Sequence, residues 1–140
     1  MEKTPKDEAE AVMNVLLPIA QQALSRYGGF MPFAAVMRAD GTIVPMRVEG
    51  ASAQPQQETI EQLAAAFRAG AEAGTHRATG LALQIRTTVP GATEQTDAVA
   101  VQLEHAGGYA VVVVYPFRRS ARGEVAFDAP FARQIAGAIF

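Results

Sequence analysis

The chain has 140 residues, 49% hydrophobic and 19% charged, which is the size and balance of one domain able to bury a core without covalent staples. It has no cysteine, so disulfides, thiolate nucleophiles and cysteine-held zinc or iron–sulfur groups are excluded, and a reducing cytoplasm suits it. A net charge of −2 and the lack of tryptophan argue against a protein built to neutralise phosphates or stack bases.

No apolar run approaches the roughly 18 residues a membrane span requires. The first ten residues are charged and read as a helix start, with no leader pattern. The expectation is therefore one α+β domain over residues 1–140, cytoplasmic, with no membrane or nucleic-acid partner and no cofactor.

Thr4 caps a first helix, Pro5 suits its first turn, and Asp7 meets the positive end of its dipole. Ala9, Met13, Leu16, Leu17, Ala20, Leu24 and Tyr27 recur at helical spacing, and Val12, Val15 and Ile19 widen the stripe. Pro18 predicts a kink, and Gly28-Gly29 a stop. Asp40-Gly41 between the β-prone runs 33–37 and 43–48 predicts a hairpin, with Pro45 placing its second strand at an edge. After a polar linker over 50–57, Pro55 opens a second helix with Ile60, Leu63, Ala64 and Phe67 on one face, ending near Gly70 or Gly74.

Three strands are expected over 79–89, 97–105 and 109–117, turning at Pro90-Gly91 and Gly107-Gly108. Asp128-Ala129-Pro130 then reads as the start of a third helix carrying Phe131, Ile135 and Ala138 or Ile139. A two-residue turn at Gly107-Gly108 sets Leu103 opposite Val112, and pairing Val89 with Asp97 sets Leu83 opposite Leu103. On those registers Leu81, Leu83, Ile85, Val99, Val101, Leu103, Val112 and Val114 form one core face. Val111, Val113 and Tyr115 make the last strand apolar on both sides, the mark of a central strand.

The resulting order α-β-β-α-β-β-β-α gives a single antiparallel sheet of five strands. The 33–37 strand lies beside 109–117, and 79–89 lies at an edge. This arrangement resembles the roadblock and longin branch of profilin-like folds across nearly the whole chain. It implies a fold and carries no function with it. More locally, Pro32-Phe33-Ala34-Ala35-Val36, Asp40-Gly41, the 96–105 segment and Val114-Tyr115-Pro116-Phe117 resemble a family of small uncharacterised bacterial proteins, which also implies no mechanism.

On the same registers Gln84, Arg86, Gln102 and Glu104, with Tyr115, form a polar ledge. It reads either as a ligand-binding surface anchored by Arg86 or as a solvated face of cross-strand pairs. Glu104 and His105 are adjacent on a strand and face opposite ways, so they cannot share one site, and His105 is expected to pack or cap. His76 lies in a loop and meets His105 only if that loop folds back; no metal set is expected. Arg118, Arg119 and Arg122 cluster after the last strand without a phosphate-binding glycine loop. The 27–33 connector is either an apolar lead-in or a sticky dimer contact. No serine or threonine has an activating context. The leading expectation is a non-enzymatic interaction or scaffold domain, homodimeric, followed by a small-ligand sensor and then by an enzyme.

Overall fold

The computed structural model describes residues 4–48, 50 and 54–140. Two helices and seven strands follow the order α1 (Pro5–Tyr27), β1 (Phe33–Arg38), β2 (Ile43–Met46), α2 (Gln56–Glu72), β3 (His76–Thr88), β4 (Gln95–His105), β5 (Tyr109–Arg119), β6 (Val125–Phe127) and β7 (Phe131–Gln134). The strands make one antiparallel sheet, ordered β2-β1-β3-β4-β5-β6, with β7 also on β5.

α1 begins as its sequence dictates. Thr4 Oγ1 accepts from Asp7 N, and Asp7 Oδ2 accepts from Thr4 N, closing a capping box. The helix runs through Pro18 as one element, and Pro18 and Asn14 both lie on its exposed side, where solvent can serve the carbonyl that proline leaves unpaired. Gly28 ends it at φ +81°, its N–H donating to Leu24 O. The carbonyls of Leu24 and Gly28 accept from Arg119 at 2.9 and 2.7 Å, so one arginine of β5 closes the helix end. Gln21 and Ser25 further tie α1 to the backbone of Val125 in β6.

The sheet departs from expectation in neighbour order, in register and in its last elements. β1 pairs with β3, not with β5, so β3 lies inside the sheet; the order behind the roadblock and longin resemblance is not the one adopted. The Gly107-Gly108 turn holds three residues between His105 and its partner Tyr109, with Gly108 at φ +96° and its N–H bonded to His105 O. That extra residue sets Leu103 opposite Val111. The first turn also slips by an odd number, setting Leu83 opposite Ala100 and Gln84 opposite Val99. β4 is thereby reversed against both neighbours, and the predicted single core face divides between the two sides of the sheet.

One side faces α1. Its rows include Phe33, Ala82, Val101 and Val113, and then Ala35, Gly80, Leu103 and Val111. Gly80 is where the helix comes closest: a Cβ there would lie 2.7 Å from Val12 Cγ1 and 2.8 Å from Leu16 Cδ1. β3 accordingly turns Ala78, Gly80 and Ala82 toward the helix and its large residues Leu81, Leu83 and Ile85 away from it. The predicted third helix is absent among the described residues. The chain from Val125 to Gln134 instead runs along the outer edge of β5, with one extra residue between its β6 and β7 pairings. The reason is backbone satisfaction, because β5 would otherwise leave an open row of donors and acceptors there.

Candidate functional site

The polar ledge does not assemble. Gln84 and Arg86 pair with Val99 and Asp97 and lie on the α1 side with Tyr115; Gln102 and Glu104, paired with Leu81 and Thr79, lie on the other. All but Gln102 have local partners. Gln84 Oε1 accepts from Phe30 N at 3.1 Å, fastening the connector after α1, and a Cβ at Gly29 would come within 2.9 Å of that oxygen, so a side chain there would shift it. Arg86 lies 3.9 Å from Asp97 Oδ1, both exposed enough for solvent to screen the pair. Glu104 Oε1 accepts from Ala138 N and Ile139 N at 2.9 and 3.1 Å, tying down the segment after β7. Gln102 is exposed. Tyr115 donates to Met13 Sδ at 3.8 Å beneath α1, where burial, and secondarily the charge of Glu10, hold its phenol above the ordinary range.

A titratable cluster joins α1 to the sheet. Glu8 Oε1 lies 2.8 Å from His105 Nε2, and Glu8 Oε2 lies 3.0 Å from Arg77 Nη1. Arg77 also donates to Ala39 O. His105 Nδ1 accepts from Gly107 N at 2.8 Å, so the ring proton sits on Nε2 and is donated to Glu8. The hydrogen bond from His105 is the main reason the Glu8 carboxyl stays below its usual range, with Arg77 adding to it against the opposing effect of burial. Both ring nitrogens are used within the protein and the ring is only 8% exposed, so the histidine packs and caps as expected, and neither nitrogen is left to exchange a proton with a substrate. His76 turns elsewhere, packing on Gly70 of α2 with Nδ1 3.4 Å from Phe67 O. Among the described residues no three His, Asp or Glu side chains gather as a metal site.

Arg118 and Arg119, expected in a loop, are the last residues of β5, and they also disperse. Arg118 pairs with Asp128 at 2.8 Å, and Arg119 closes α1.

Two surface features bear on function, beside a smaller cleft of about 520 Å³ at the β4–β5 turn lined by residues that include Glu104, His105 and Phe140. The first is the side of the sheet away from α1. α2 packs there on β1 and β3, where Leu63 and Phe67 bury Ala34, Val36 and Leu81. Farther along, Leu83, Ala100, Val114 and Phe131 form one row across β3, β4, β5 and β7. Their cluster, which also holds Ile85, Ala98 and Val112, contains no helical residue. Its alanines are buried by taller neighbours, while Leu83, Ile85, Val112 and Phe131 stay partly exposed. The double burial foreseen for β5 falls instead on β1 and the start of β3, between the helices, and on 98–101 of β4. Sequence reasoning missed this row because it had placed Leu83 and Val114 inside the core.

The second feature is a cleft of about 630 Å³ between the last turns of α1, the connector and the residues after β2. The connector had been singled out in the sequence; Arg26 and Arg47, which also line the cleft, had not.

Compared with known proteins, the chain matches no family model, and no curated protein or solved structure matches it.

Proposed function

We propose that the protein is a non-enzymatic interaction domain that associates with a second copy of itself through the helix-free part of its sheet. The observation that carries this reading is the row Leu83, Ala100, Val114 and Phe131, four apolar residues side by side on four strands, of which only Leu83 also packs against the cluster that α2 covers. An apolar, uncharged row is complementary to its own copy about a two-fold axis, and burying it removes hydrocarbon from water on both partners. Within the row Ala100 and Val114 are already buried, and Leu83 and Phe131 are the partly exposed members that a second copy would cover.

Light scattering of the purified protein tests the reading. A mass twice that of the chain is expected, falling to the monomer mass in Leu83→Glu while the far-ultraviolet circular dichroism is unchanged. A wild-type protein that stays monomeric at its highest soluble concentration overturns it. The cleft at the end of α1 favours a second reading, a small-ligand sensor. Ligand binding in this cleft raises the melting temperature without changing the mass.

A further inference from the structure

We infer that the cleft at the C-terminal end of α1 is a binding site for an amphiphilic monoanion, a carboxylate carried on an apolar alkyl or aryl body. The inference goes beyond self-association and uses a different surface. The volume of about 630 Å³ falls within the range of pockets that take small organic ligands. Ile19, Phe30 and Phe33 supply an apolar lining, with the two rings packed edge to face at a centroid distance of 5.2 Å.

Arg26 and Arg47 are the charged groups of the lining. Among the described residues no carboxylate lines the cleft or forms an ion pair with either arginine, whereas Lys6, Arg77, Arg86 and Arg118 each have an acidic partner. The Arg47 guanidinium lies 5.5 Å from the Phe33 ring centroid, so a cation already rests on the aromatic wall. A helix C-terminus would ordinarily repel an anion. Here Arg119 donates to the carbonyls of Leu24 and Gly28, which places a positive charge against that end of the helix and offsets part of the repulsion. Two guanidiniums without an acidic partner among the described residues, beside an aromatic wall, recognise a carboxylate head and an apolar tail together.

Isothermal titration calorimetry with decanoate tests the assignment, with decanol and Arg122→Ala as controls. Decanoate is expected to bind, and decanol to bind at least roughly tenfold more weakly, since one charge-assisted hydrogen bond is worth about a factor of ten. Arg26→Ala and Arg47→Ala should each weaken decanoate by a similar factor and together abolish it. Both side chains are exposed, so the variants should melt as the wild type does. Arg122, exposed after β5 and outside the cleft lining, should not matter. The assignment is overturned if decanoate fails to bind, if decanol binds as tightly, if the double variant keeps its affinity, or if Arg122→Ala loses as much. None of these outcomes depends on the mass of the particle, so they are separable from failure of the self-association reading.

Discussion

The two sides of the sheet are finished differently. On one side a helix of 23 residues crosses from β1 to β6, and Val12, Leu16, Ala20 and Leu24 are fully buried against β-strand residues that include Val99, Val101 and Leu103. On the other, α2 shelters β1 and β3, and the row on β4, β5 and β7 has only its own neighbours for cover. The difference is one of cover: the α1 side is closed by a long helix, whereas in the helix-free row Ala100 and Val114 are buried by their neighbours and Leu83 and Phe131 stay partly exposed.

Substitutions on each side break or sharpen this contrast. Leu16→Ala, inside the α1 contact, should cost about 3 kcal/mol in urea unfolding, as large cavities in packed cores do, with no dependence on protein concentration. Gly80→Ala should cost about 2 kcal/mol by the same measurement, because its new methyl must displace Val12 and Leu16. A cost near zero would mean that α1 rides higher on the sheet than described.

Glu8→Gln should lose about 1 kcal/mol at neutral pH, since its amide has a single acceptor oxygen and leaves one of the two donors, on His105 or Arg77, facing an NH2 group. Its pH signature separates this role from packing. The Glu8 carboxyl titrates lower in the folded state than the ordinary value of 4.5, so its stabilisation is present above that value and disappears as pH falls through the lower, folded one. Thermal melts should therefore show a wild-type acid limb that is shallower in the variant, and identical limbs would remove Glu8 from the account. Leu83→Ala should be the mildest for the single chain, about 1 kcal/mol or less in dilute protein, because its side chain is only partly buried. Its cost should grow with protein concentration as self-association adds to stability. A cost equal to that of Leu16→Ala would erase the contrast between the two sides.

Parts of this molecule were legible one residue at a time. Thr4, Pro5 and Asp7 announced the start of α1, and Gly28 its end, because capping chemistry is local. Asp40-Gly41 gave the first hairpin for the same reason: Thr42 N donates to Asp40 Oδ1 at 2.9 Å, and Gly41 takes φ +91°. Pro45 placed β2 at an edge because proline has no donor for a ladder. Gly107-Gly108, by contrast, fits a two-residue or a three-residue loop equally well, and the choice between them decides which side of the sheet half the hydrophobic residues occupy. The candidate site met the same ambiguity at the turn between β3 and β4: Gln84 and Gln102 share a side if Val89 pairs with Asp97 and stand on opposite sides when Thr88 pairs with Gln95.

The amino-acid order alone determined the class of the fold, the ends of α1 and the presence of α2, the five strands of a hairpin and meander, and the exclusion of cysteine chemistry. The tertiary structure decided that β1 joins β3, that the segment after Pro130 becomes an edge strand rather than a helix, and that Arg26 and Arg47 share one cleft. The physical reason is range. Caps and tight turns are fixed by neighbours a few residues away, whereas strand partnership is set by which distant edge most fully satisfies the backbone, and by where Gly80 lets a helix approach.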